Sequence, residues 1–128
     1  MTYYIATSLD GSFEATIARV EAALKDEGFG VLTRIDVRET MKAKLDKDFR
    51  PYVILGACNP TLAYEALQLE DKVGTMLPCN VVVQQSSQGK IDVAAIDPVA
   101  SMQAIDNPQL KEAAKTVREK LSRVIASL

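Results

Sequence analysis

Apolar positions recur along the chain with two different periods, and the alternation between them predicts the elements. Tyr3 to Thr7 reads as a short strand, followed by a turn at Asp10-Gly11. Ser12 then caps a helix whose apolar residues, Phe13, Ile17, Val20 and Leu24, repeat at the spacing of one helical face. Gly28 stops that helix. Val31 to Val37 reads as a strand with Val31, Thr33, Ile35 and Val37 on one side. Asp36 and Glu39 open a short helix that carries Met41 and Leu45 one turn apart. Tyr52 to Ala57 is almost wholly apolar and predicts an interior strand, and Pro51 is tolerable only at its start.

Asn59-Pro60 and Asn107-Pro108 are both cap-plus-first-turn signals. The first opens a helix to about Leu69 with Leu62, Ala63, Ala66 and Leu67 as its inward stripe. The second opens a terminal helix striped by Leu110, Ala114, Val117, Leu121, Val124 and Leu128. Lys115–Glu119 and Glu119–Arg123 are candidate ion pairs on its outer side. Between these helices, Thr75 to Val83 reads as a strand broken by Pro78, and Lys90 to Ile96 pairs back on it as a hairpin. Val99 to Ile105 is a short helical turn or a lid. The expected class is therefore α+β: a mostly antiparallel sheet with helices packed on one face, in the order β-α-β-α-β-α-β-β-α. Such a sheet leaves its other face to be covered, and a second copy of the chain is the simplest cover.

The length of 128 residues fits one domain, 1–128. Fifteen basic and 17 acidic side chains leave a net charge of -2. The nearest thing to a basic patch is on the last helix, where Glu112 and Glu119 interrupt it, so no nucleic-acid partner is expected. No apolar run approaches the roughly 20 residues of a membrane span. The stretch from Met1 to Leu9 lacks the pattern of a secretion signal. These features, with only two cysteines, place a soluble chain in the reducing cytoplasm with free thiols.

The absence of histidine removes His-based acid–base chemistry and His-containing metal sites. No metal and no particular cofactor are called for. Two Cys-Asn pairs remain as candidate chemistry. Cys58 sits between a strand and a helix start, where backbone N–H groups favour a thiolate or a small anion. The alternative is a small hydrophobe in a tight corner. Cys79 can approach Cys58 if their strands are neighbours. Asn59 is explained as a cap, whereas Asn80 lies in a strand, a poor place for asparagine, and so is a candidate to bind a ligand or partner.

The run from Gly28 to Thr33, Asp36-Val37, Thr40, Lys42 and Leu45 resembles the front half of the family called domain of unknown function 302. Tyr52, Ile54-Leu55-Gly56-Ala57-Cys58-Asn59-Pro60, Ala63, Ala66-Leu67, Gly74 and Leu77-Pro78-Cys79-Asn80-Val81-Val82-Val83 resemble its back half. The resemblance spans about residues 3 to 100. It implies a fold similar to the TATA-binding-protein class and frequent dimers, but neither DNA binding nor a catalytic residue. The leading expectation is an accessory protein that binds a small ligand or anion near Cys58, Asn59, Cys79 and Asn80, with a groove between two copies as one setting for it. The alternatives are a thiol-redox or sulfur-handling protein using Cys58 and Cys79, and a structural or interaction homodimer.

Overall fold

The computed structural model describes residues 2–128; Met1, read above with the N-terminal stretch, lies outside them. Five strands form one antiparallel sheet: β1 (Tyr4–Leu9), β2 (Gly30–Asp36), β3 (Tyr52–Cys58), β4 (Cys79–Gln85) and β5 (Ile91–Ile96). Their order across the sheet is β1-β5-β4-β3-β2. The helices are α1 (Phe13–Asp26), α2 (Val37–Leu45), α3 (Pro60–Leu69), α4 (Pro98–Ser101) and α5 (Pro108–Ala126).

The caps follow from the side chains read in the sequence. Ser12, Asp36, Asn59 and Asn107 each accept a hydrogen bond from a first-turn N–H of α1, α2, α3 and α5, which satisfies a donor the helix itself leaves free. At the end of α1, Gly28 takes φ +84°. Its N–H donates to Lys25 O and that of Phe29 to Leu24 O, the paired closure that a left-handed glycine permits.

The main core lies between the sheet and two helices. Ile17, Val20 and Leu24 of α1 and Leu121, Val124 and Ile125 of α5 pack on Val53, Leu55, Val81, Val83, Ile91 and Val93. A smaller cluster, Ala66, Val73, Met102, Leu110 and Ala114, joins α3 and α4 to the first turns of α5. Helix α2 buries no residue, and Leu45 is exposed.

The structure departs from the sequence pattern in several places. A register shift between Val31 and Thr33 interrupts the alternation of β2. Val31 pairs with Ala57 on the core side, whereas Thr33 and Ile35 pair with Gly56 and Ile54 on the opposite side. The single expected face of β2 is thus split by one extra residue. Val37 belongs to α2 because Asp36 already caps that helix. The segment before Pro78 is a 3-10 turn, Val73–Met76, and β4 begins only at Cys79. Leu67 is exposed; α3 turns Leu62, Ala63, Ala66 and Leu69 toward the body, and of these only Ala66 is buried. On α5, Lys115 pairs with Glu112 and Arg123 reaches Glu27, just past the end of α1, instead of Glu119.

Candidate functional site

The two Cys-Asn pairs do not form one site. Cross-strand partners share a face, so Cys79, opposite Ala57, belongs to the core side of the sheet. Cys58, at the end of β3, joins it at a narrow apolar cleft of ≈40 Å³ between that end of the sheet and α3, α4 and α5. Asn59 lies at the same cleft. Asn80 points to the other face, where it pairs with Gly56 and is exposed.

The local geometry limits what the cleft can do. Pro60 has no N–H, Leu62 N donates to Asn59 Oδ1 at 3.2 Å and Ala63 N donates to Asn59 O at 2.9 Å. Most of the first-turn donors that would hold an anion are already engaged. Both thiols are free; Cys58 is half-buried and Cys79 is buried. Burial, reinforced by nearby Cys58, pushes the Cys79 thiol up to about 11. Among the described residues no three Cys, Asp or Glu side chains gather in a way that would hold a metal ion.

The opposite face of the sheet is an open trough of ≈650 Å³. Strand register arranges its side chains in rows. Tyr52, Gln84, Asp92 and Ser8 stand side by side across β3, β4, β5 and β1. Ser8 Oγ donates to Asp92 Oδ1 at 2.8 Å. Arg50 Nε donates to Gln84 Oε1 at 2.8 Å, and its guanidinium lies 4.5 Å from the Phe49 ring centre and 5.3 Å from that of Tyr52. The next row, Ile35, Ile54, Val82, Ala94 and Ala6, is apolar across all five strands. Thr33, Gly56 and Asn80 follow beyond it, with Tyr4 opposite Ile96 on the β1 side. The small residues Ala6 and Ala94 leave the floor low, while Tyr3, Tyr4 and Tyr52 line the margins.

Of the four residues singled out in the sequence, Cys58, Asn59 and Cys79 line the cleft and Asn80 lies on the other face. Gln84, Ser8 and Arg50 do not stand out in the sequence, and Asp92 draws no role there because no matching carboxylate accompanies it. Gln84 reads as the start of a polar loop, but β4 runs on to Gln85, and alternation along β4 and β5 then separates Asn80, Val82 and Gln84, and Asp92, Ala94 and Ile96, from the inward residues. Only the register brings those residues into rows.

Comparison with known proteins decides the family. Residues 5–128 match the model of the domain of unknown function DUF302. The chain belongs to this family. Among solved structures it is similar to an uncharacterized conserved DUF302 protein from Bacillus stearothermophilus, with 33% identity over 98% of each chain and a TM-score of 0.91. No curated protein matches the chain. The DUF302 assignment fixes the fold but brings no activity with it, so the trough and the cleft must be read from their own chemistry. Among the described residues no helix is long and apolar enough to cross a membrane.

Proposed function

We propose that this DUF302 protein is an accessory binding protein that takes a small, partly apolar molecule into the trough on its open sheet face. The observation that carries this reading is the apolar floor of Val82, Ala94 and Ala6, flanked by Asn80 on one side and by Tyr52, Gln84, Asp92 and Ser8 on the other, within a concavity of ≈650 Å³. That volume lies in the range of small-molecule sites, and a few convergent polar groups on an apolar floor are what such sites use for orientation. Asn80 and Gln84 supply amide donors and acceptors, and Asp92 supplies a carboxylate. Asp92, together with the engagement of Arg50 by Gln84 and two rings, favours a neutral or cationic ligand over an anion. The cleft at Cys58 is too small for the same role.

Ala94 stands in the middle of the apolar row, so Ala94→Arg fills the floor from the solvent side without touching the core. Ligand-observed NMR with a set of small neutral aromatic compounds tests the reading. Binding by the wild type that is lost in Ala94→Arg supports it. Equal binding by both proteins, or none by either, removes it.

A second reading is a homodimer joined through this face. It rests on the same apolar row and on the exposure of Ile35 and Tyr4, at 48% and 44%, on a sheet whose other face is covered. Sedimentation velocity across a concentration series tests it, with dimer expected for the wild type and monomer for Ala94→Arg. The two free thiols fit a reducing compartment, hence the cytoplasm.

A further inference from the structure

Cys58 and Cys79 reach one apolar cleft from neighbouring strands, one residue out of cross-strand register. Cys79 is only 8% exposed, and neither sulfur enters a disulfide. The ≈40 Å³ beside them is walled by Phe29, Leu62, Ala66, Met102 and Leu110. That is about three water-sized positions, but the walls offer a water few partners, so a short aliphatic fragment suits the space better.

We propose that Cys58 is a modification site whose sulfur exchanges with the disulfide of a small, uncharged aliphatic thiol, the first carbons of the adduct lying in the cleft. In this exchange the Cys58 thiolate forms a bond to one sulfur of the incoming disulfide as the original S–S bond breaks. Cys58 is oxidised to the mixed disulfide. The departing sulfur is reduced, leaves as thiolate and takes up the proton that Cys58 gave to solvent. The co-reactant is the low-molecular-weight disulfide itself.

Cys79 does not resolve the adduct. With its thiol pushed from 9.0 up to about 11, its thiolate at neutral pH is about a hundredfold rarer than that of an ordinary cysteine. The greater nucleophilicity of a more basic thiolate returns about tenfold, which leaves attack by Cys79 about tenfold slow before its restricted access is counted. Cys79 is also 8% exposed and stands opposite Ala57 rather than Cys58, which hinders in-line approach to the adduct sulfur, so the mixed disulfide outlasts the exchange.

The test treats the folded full chain with bis(2-hydroxyethyl) disulfide at neutral pH and follows intact mass and peptide maps. The expected result is a single lasting adduct on Cys58, formed at least about tenfold faster than any on Cys79. Cys58→Ser takes no adduct, and Cys79→Ser takes it at the wild-type rate. NMR shifts of the Met102 methyl and the Ala66 amide move when the adduct forms. If Cys79→Ser does not fold, the wild-type peptide map decides alone. Conversion of the adduct to a Cys58–Cys79 disulfide, modification of Cys79 first, or an unmodified folded protein would each overturn the proposal. Unmoved Met102 and Ala66 signals would overturn the placement in the cleft. None of these outcomes bears on the trough.

Discussion

Gly56→Ala adds one methyl group to the open side of β3, where the structure leaves no space for it. A Cβ at this position lies 2.8 Å from Pro78 Cγ and overlaps Thr33 Oγ1. Carbon atoms in good contact sit at about 3.5–4.0 Å, so the proline ring must retreat by about an ångström. That ring is rigid and stands immediately before β4, so it cannot swing aside like the end of a long side chain. Overpacking of this kind costs about 1–3 kcal/mol, while the stiffer unfolded chain returns about 0.4–1 kcal/mol. The net expected loss is about 1–2 kcal/mol, or roughly 3–10 °C in Tm for a chain of this length. Thermal unfolding followed by circular dichroism measures it. Gly74→Ala is the control, because a Cβ there meets nothing within 4 Å, and it should not lower Tm. Thr33→Ala in the Gly56→Ala background should recover part of the loss. An unchanged or higher Tm for Gly56→Ala would refute the close approach of β2, β3 and Pro78.

Further outcomes follow from the caps and the buried groups. Because the Cys79 thiol is raised to about 11 in the folded chain, the unfolded chain loses this proton first as pH rises. Its contribution is neutral below about pH 9 and falls between 9 and about 11, by on the order of 2–3 kcal/mol. Urea unfolding across that window should show a steeper alkaline decline for the wild type than for Cys79→Ala; parallel declines would contradict it. Asn107 accepts from Leu110 N and also donates to Leu69 O at 3.2 Å, so Asn107→Ala should cost about 1–2 kcal/mol, more than Asn59→Ala at about 1 kcal/mol. Equal urea midpoints for the two variants would show that the Leu69 contact contributes nothing. Asp97 is 7% exposed, caps α4 through Val99 N and pairs with Arg118 Nε at 3.2 Å. Asp97→Ala should lose about 1–3 kcal/mol in the same assay, and wild-type stability would show that α4 is held by its apolar contacts alone.

Helices α1 and α5 were legible because each carries both a start signal and a periodic stripe, whereas the four-residue α4 has no room for one. Ser12 with Phe13, Ile17, Val20 and Leu24, and Asn107-Pro108 with Leu110 to Leu128, left little freedom. The order of elements and the antiparallel class were legible for the same reason. The bulge in β2 was not. A run such as Val31-Leu32-Thr33-Arg34-Ile35 alternates acceptably in either phase, and the choice is made by Gly56, which admits Thr33 from the neighbouring strand. Leu67 reads as buried because the helical spacing is right, yet the inward side of α3 is the narrow line of Leu62, Ala63, Ala66 and Leu69, and Leu67 falls beside it. Lys115 and Arg123 found partners three residues away and just past the end of α1 because long side chains on an exposed face have several near-equal choices.

Of the residues that line the cleft, Cys58 and Asn59 stand out in the sequence by their place at a strand end and a helix cap, and Cys79 by its neighbours Pro78 and Asn80. Asn80 was singled out as an awkward strand residue, and that awkwardness marks its exposure on the open face. Its neighbours there, Gln84, Asp92 and Ser8, come from three strands whose register no local pattern specifies. The separation of Asn80 from Cys79 by one residue, and hence by the thickness of the sheet, is a direct consequence of strand alternation.

The central claim, that the open sheet face is the working surface, is tested most directly by native mass spectrometry. Wild-type protein and Ala94→Arg would be purified in parallel and sprayed from the same volatile buffer with an equimolar set of small neutral aromatic compounds. The account expects the wild type to carry a bound compound, or to appear as a dimer, and expects Ala94→Arg to appear as the bare single chain with its fold intact. The same bound masses and the same assembly state in both proteins would contradict it.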